Sequence, residues 1–300
     1  KMYDIKALYE ATSVEDACRL LKEHPGSQVI AGGSDVLVQI REGKRAGKEL
    51  VSIYMLDELR GICLDADENI RIGSLTSFSH ITKNPIIQKY INVLGEAVDQ
   101  IGGPQIRNIG TIGGNTCNGV TSADSASTLF AWDALVEIAG EDYRRVVPIN
   151  EFYIKASTVA LKEGEIQTAI IIPKKAYEGY KGHYIKYAMR EAMDIATTGC
   201  SVNVKLSADK KTFEDVRIAY GVAGPIPMRV HTAENFIRGK EVNEENIEAF
   251  AQKVLEDINP RDSWRASKAF RCHIGVVMAR KACEKAVKQA GGKVDDRTEL

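Results

Sequence analysis

Two glycine pairs about eighty residues apart constrain this chain more than any other feature. The first lies in Val29-Ile30-Ala31-Gly32-Gly33-Ser34-Asp35-Val36. The second lies in Ile106-Arg107-Asn108-Ile109-Gly110-Thr111-Ile112-Gly113-Gly114-Asn115. Each has an apolar, β-branched lead-in, then two glycines, then a small or amide polar residue. Glycine admits φ > 0 and lets a ligand reach the backbone, so successive N–H groups can converge on one anion. Either pair alone reads as a tight turn. Two pairs of the same form point to a nucleotide diphosphate gripped from both sides.

Three hundred residues with a formal net charge of −1 suit a soluble globular chain of two or three packed units. No stretch approaches the roughly 18 apolar residues of a membrane span, and none has signal-peptide form. Basic residues are dispersed, which argues against a nucleic-acid surface. The six cysteines include no C-x-x-C pair, and the five histidines are equally scattered. Neither an iron–sulfur cluster nor a metal site is expected, and the cysteines read as free thiols of a cytoplasmic protein. The chain begins at Lys1 without an initiating Met, which leaves open whether residues precede it.

Taken in order, the chain opens with a helix behind Thr12-x-x-Glu15, which has the form of a capping box. Short strands follow at Gln28–Ala31 and Leu50–Ile53. The next strands are Ile62–Leu64 and Ile70–Gly73, then helices at Thr76–Ile81, from Pro85, and at Val93–Ile101. The second glycine loop precedes a helix at Ser125–Trp132 and strands at Leu135–Ile138, Arg144–Val147 and Ile166–Ile172. A boundary falls near 176–182. Beyond it come strands at His183–Met189, Ala196–Leu206 and Asp215–Val222. Helices follow at Val230–Arg238, Glu244–Ile258 and Ser263–Ala290, the last capped by Ser263 and buried through Phe270, Ile274, Val277 and Met278. This is an α+β pattern, with a closing three-stranded antiparallel sheet backed by helices.

The familiar fingerprints fail. Neither loop is G-x-G-x-x-G, no Gly-Lys is followed by Ser or Thr, and G-x-S-x-G is absent. Ala31-Gly32-Gly33-Ser34-Asp35 and Gln105-Ile106-Arg107-Asn108 with Thr111-Ile112-Gly113-Gly114-Asn115 resemble instead the FAD-binding subunits of molybdenum hydroxylases. Asp124, Lys186-Tyr187-Ala188-Met189-Arg190, Asp194-Ile195-Ala196 and Ser263-Trp264-Arg265-Ala266-Ser267 extend the resemblance over almost the whole chain. The purine-oxidising, bacterial xanthine dehydrogenase-like branch is the most similar.

The resemblance implies a two-subdomain FAD-binding domain of the vanillyl-alcohol oxidase (PCMH) type over residues 1–177, divided at about 56/57. A domain of the carbon monoxide dehydrogenase flavoprotein type follows over 178–300. Backbone groups of Val29, Ile30, Ala31, Gly32, Gly33, Ser34, Asp35 and Val36 would hold the pyrophosphate. Thr111, Ile112, Gly113, Gly114 and Asn115 would close on the cofactor from the other side, with the glycines leaving room that a Cβ would fill. Ile101 would pack beside the flavin, although by itself it reads as a core residue. Asp124, otherwise a helix cap, would accept from a cofactor hydroxyl. The prolines common after this aspartate are replaced here by Ala126 and Ser127. Lys186, otherwise a solvated strand lysine, would reach the flavin and tune it. Gln167 would touch the cofactor through its backbone. Arg190 and Asp194 would bias the entrance to the ring, or pair with each other. Trp264 would be a core anchor, or a partner contact flanked by Arg261 and Arg265.

The function implied is electron transfer within a heterotrimer or its dimer. A heterocycle would be hydroxylated at a molybdenum cofactor on a large subunit. Electrons would pass through 2Fe–2S clusters on a small subunit to this FAD, and NAD would accept hydride. The alternatives are a stand-alone flavin oxidoreductase of the same fold (enolpyruvyl reductase or aryl-alcohol oxidase type) and a flavin-free scaffold subunit.

Overall fold

Alternating burial along Ile5–Glu10 makes the first element a strand, not a helix. Leu8 faces outward and is more than half exposed, which hides the period-two signal among Lys, Ala and Leu. In this computed structural model, which describes residues 2–294, the strand pairs in parallel with Lys48–Ser52. That strand in turn pairs in parallel with Gln28–Ile30. Parallel neighbours need crossovers, and Val14–Glu23 and Val36–Arg41 are the helices of this small layer. The first helix is capped one residue later than expected: Ser13, not Thr12, accepts from the Asp16 N–H, and Asp16 accepts from the Thr12 N–H.

The second unit is a five-stranded antiparallel sheet in the order Ile62–Leu64, Ile70–Gly73, Ile166–Ile172, Leu135–Ala139, Arg144–Pro148. Its central strand, Ile166–Ile172, is buried along nearly its whole length. A helical layer covers the sheet. Its helix Asp124–Ala131 is buried at every residue, because the five-stranded sheet's core lies on one side and the next domain on the other. A two-stranded hairpin, Tyr153–Lys155 with Thr158–Val159, went unforeseen.

The last unit carries Lys181–Tyr187, Thr198–Leu206 and Phe213–Gly221 as an antiparallel sheet, extended by a short fourth strand, Met228–Arg229. One face packs on the helices His231–Ile237, Glu244–Lys253 and Lys268–Gln289. The other meets the helical layer of the middle unit through polar contacts. Ser127 and Ser201 share a hydroxyl bond of 2.9 Å, Asn203 Nδ2 donates to the Ala131 carbonyl at 3.2 Å, and the buried Arg217 donates to the Ala176 carbonyl at 2.7 Å.

The long helix departs from the sequence reading at its start. Its N-cap is Ser267, whose hydroxyl accepts from the Phe270 N–H. Ser263 instead accepts from Arg271 Nη2 at 2.7 Å. The buried stripe is Gly275, Met278, Ala279, Ala282, Cys283 and Ala286, whereas Phe270 is exposed. Ser267→Ala is therefore expected to lower the unfolding free energy by about 1 kcal/mol in urea denaturation. An unchanged midpoint would contradict the cap assignment.

Candidate cofactor-binding site

The strand Gln28–Ile30 delivers the first glycine pair to the edge of its sheet. Gly33 has φ +74°, a conformation that side chains resist. Gly32 has a different reason to be glycine: a Cβ there would lie 2.0 Å from the carbonyl oxygen of Ile109. The first loop thus abuts the residue that leads into the second glycine segment, and the fold brings the two pairs together. Among the described residues, no hydrogen bond is donated by the backbone N–H of Gly32, Gly33, Ser34 or Asp35, and Ser34 and Asp35 face solvent. Four successive unbonded donors are the kind of feature that can bind an anion. The Asp35 carboxylate is engaged by Gln39 Nε2.

The second segment is not a loop. It forms two short helices, Pro104–Ile109 and Ile112–Cys117, the second capped by Thr111. Four of its N–H groups are already used. Ile112 donates to the Thr76 carbonyl at 3.1 Å, Gly113 to the Ser74 carbonyl at 2.8 Å, Gly114 to Thr111 Oγ1 at 3.0 Å, and Asn115 to the Thr111 carbonyl at 3.0 Å. A Cβ on Gly113 would sit 2.7 Å from both the Cβ and the carbonyl oxygen of Ser74. Gly113 is therefore small so that the helix can lie against the strand end, a reason for glycine that holds without any ligand. Gly114 is exposed, and a Cβ there would meet Thr111 Oγ1 alone, at 3.0 Å. Asn115 Oδ1 accepts from Ser125 Oγ at 2.6 Å, leaving the amide Nδ2 as a donor.

That Ser125 contact leads to Asp124. The helix it opens is capped at Ala123 without a side-chain bond, so Asp124 is no cap. It is buried and paired instead: Lys186 Nζ donates to Oδ2 at 2.9 Å and Tyr184 Oη donates to Oδ1 at 2.6 Å. Burial pushes the Asp124 carboxyl up, while Lys186 and Tyr184 pull it down. Lys186 is not a solvated lysine. It also donates to the carbonyls of Gln100 at 3.1 Å and Asp194 at 2.8 Å, so its three N–H bonds are all committed. In this geometry it has no N–H left for a further acceptor. The Gln100 contact brings Ile101, which packs at the edge of the middle core, next to this cluster.

Gln167 is buried, and its strand shifts register between Gln167 and Ala169. Its Oε1 accepts from Thr116 Oγ1 at 2.8 Å and Cys117 Sγ at 3.0 Å, while Nε2 is buried with no partner. The side chain, rather than the backbone alone, thus braces the second glycine helix. Asp194 and Arg190 pair with each other: Asp194 Oδ2 accepts from the Arg190 N–H at 2.9 Å, and the guanidinium lies 3.6 Å from Oδ1. Burial opposes ionisation of Asp194, but the Ile195 and Arg190 N–H groups prevail and hold its carboxyl below the usual range. Trp264 is no core anchor: it is 77% exposed, with the Arg265 guanidinium 4.3 Å from its ring centroid.

Tyr184 escaped the sequence reading. The available signal was its spacing of two from Lys186, which puts both side chains on one face of a strand. Ser74, Thr76 and Ser125 had no such signal, since each acts through contacts made only by the fold.

Comparison with known proteins identifies the family. The family model described as "FAD binding domain in molybdopterin dehydrogenase" matches residues 2–175. The chain belongs to the FAD-binding subunits of the molybdopterin dehydrogenases. A second model, the CO dehydrogenase flavoprotein C-terminal domain, matches residues 183–286 of this FAD-binding subunit. The subunit is 42% identical to the xanthine dehydrogenase FAD-binding subunit of Escherichia coli O157:H7, over 98% of this chain and all of that one. It is 28% identical to the glyceraldehyde dehydrogenase medium chain of Sulfolobus acidocaldarius, over 91% of this chain and 95% of the relative. Among solved structures, a chain of carbon monoxide dehydrogenase from Hydrogenophaga pseudoflava superposes with a TM-score of 0.90 at 27% identity. The match covers 97% of this chain and 99% of that one.

The two glycines of the second pair are expected to separate experimentally. Gly113→Ala should destabilise the FAD-binding subunit by about 1–3 kcal/mol through overpacking against Ser74. Gly114→Ala should change stability by less than about 0.5 kcal/mol. Equal losses in thermal and urea denaturation would refute this division.

Proposed function

We infer that this chain is the FAD-carrying electron-transfer subunit of a cytoplasmic, xanthine dehydrogenase-like molybdenum hydroxylase. A large partner would carry the molybdenum cofactor that oxidises a purine or similar heterocycle, a small partner would carry 2Fe–2S clusters, and NAD would be the acceptor. The observation that carries the FAD assignment is the row of four unbonded N–H groups at 32–35, on a loop whose Gly32 abuts the Ile109 carbonyl just ahead of the second glycine segment. The whole-length identity to a xanthine dehydrogenase FAD-binding subunit supports the narrower branch. Six free thiols fit a reducing compartment.

The residues fit FAD. The N–H groups of Gly32, Gly33, Ser34 and Asp35 would bind pyrophosphate oxygens, and Ser34 Oγ and Asn115 Nδ2 would add donors. The unpartnered Nε2 of Gln167 adds a donor behind the second glycine helix. Asp124 would accept from a hydroxyl of the sugar chain, and Ile101 would present an apolar wall to the ring. When bound, FAD supplies a carrier that can take up electrons and release them as a hydride. The chain's own contribution is orientation and field: Lys186 holds Asp124 and the Asp194 carbonyl in place.

Titration of the purified, full-length chain with FAD is expected to yield a yellow protein with quenched flavin fluorescence. A chain that stays colourless with FAD in excess would overturn the assignment. Anaerobic mixing of the photoreduced flavoprotein with NAD should restore oxidised-flavin absorbance. Failure to do so, with FAD retained, would reject NAD alone. Co-purification with molybdenum and iron–sulfur subunits is expected from the source cell, and isolation of the chain without them would argue against the heteromer.

A further inference from the structure

We propose that Tyr184 is a positioning residue of the cofactor site: from the C-terminal domain its hydroxyl locks the Asp124 carboxylate, so that Asp124 offers a cofactor hydroxyl an acceptor of fixed direction. This rests on the FAD assignment and goes beyond it, because it gives the second domain a defined task in cofactor recognition.

The terminal torsion of an aspartate is soft and nearly two-fold, so a single hydrogen bond leaves its carboxylate free to swing. Here the two oxygens have different donors, Tyr184 Oη on Oδ1 at 2.6 Å and Lys186 Nζ on Oδ2 at 2.9 Å. Two donors on two oxygens fix the carboxylate plane and leave one lone pair on each oxygen for a ligand. Both donors come from one face of the strand Lys181–Tyr187, while Asp124 comes from the FAD-binding domain. Tyr184 is itself well placed: it is buried, and burial, then the Asp124 charge, raises its hydroxyl well above the usual range, so it remains a donor. The strand beside it makes room. A Cβ on Gly199 would lie 3.0 Å from Tyr184 Oη, so glycine at that position admits the hydroxyl.

Lys186 cannot do this alone. Its other two N–H bonds hold the Gln100 and Asp194 carbonyls, so it meets Asp124 through one donor on one oxygen. The ionisable groups that face Asp124 are Tyr184 and Lys186. Removing the phenol hydroxyl therefore frees the carboxylate to rotate and makes it easier to protonate.

The test is a double-mutant cycle on the full-length chain, read by FAD fluorescence quenching across pH. Tyr184→Phe should weaken FAD affinity about tenfold, with a cooperative melt retained. It should also move the acid loss of affinity to higher pH. Asp124→Asn should weaken FAD affinity at least as much, and the double variant should be no worse than Asp124→Asn. Should Tyr184→Phe lose its cooperative melt, Gly199→Ala, which displaces the hydroxyl but keeps it, should weaken FAD affinity about threefold. Wild-type affinity in Tyr184→Phe, or two losses that add in the double variant, would overturn the proposal while leaving FAD binding intact. A wild-type chain that binds no FAD would overturn both it and the assignment beneath it.

Discussion

The ammonium of Lys186 is the point on which the rest of the site depends. It ties together three segments distant in sequence: the end of the helical layer at Gln100, the buried helix at Asp124 and the loop at Asp194. A charge this deeply placed costs free energy unless it is paired and fully hydrogen-bonded, and here every donor has an acceptor. Because Asp124 and Lys186 lie in different domains, the pair is satisfied only when the domains are docked. The docking surface joins apolar packing of Tyr184 and Ala219 on the middle core to directional polar contacts of Ser127, Ser201, Asn203 and Arg217. Directional bonds of this kind fix relative position more tightly than an apolar seam would.

A second constraint is steric. Gly32 lies against the Ile109 carbonyl and Gly113 against Ser74, so both glycine pairs serve close approach of backbones. The two segments differ in what remains for a ligand. The first keeps four N–H groups unbonded; the second has used those of Ile112, Gly113, Gly114 and Asn115 to build a helix and anchor it. The first segment therefore keeps donors for an incoming acceptor, while the second is held against Ser74 and Thr76 by its own bonds. The likeness of the two sequences conceals that division of labour.

Much of the architecture was legible. Strands such as Ile70–Gly73 and Ile166–Ile172 carry β-branched runs bounded by turn residues, and the helix from Pro85 carries its proline at the first turn. The opening strand was missed because its outward residue is Leu8 and its inward ones include Ala7. The helix within the second glycine segment was missed because Gly-Gly opposes helix formation locally. Bonds to Thr76, Ser74 and Thr111 supply what the local propensity lacks. The cap of the long helix was misplaced by four residues, since Ser263 and Ser267 are equally good caps and only the path of the chain selects between them.

The sequence by itself determined the fold class and most of the helices and strands, because these follow from periodicity, turn chemistry and residue type. Only the tertiary structure decided what those residues do. It set Gly113 against Ser74, made Asp124 half of a buried pair rather than a helix cap, and brought the Tyr184 hydroxyl onto that pair. The physical reason is that a hydrogen-bond donor has few valences, and which acceptors spend them is settled by neighbours that lie far away in the chain.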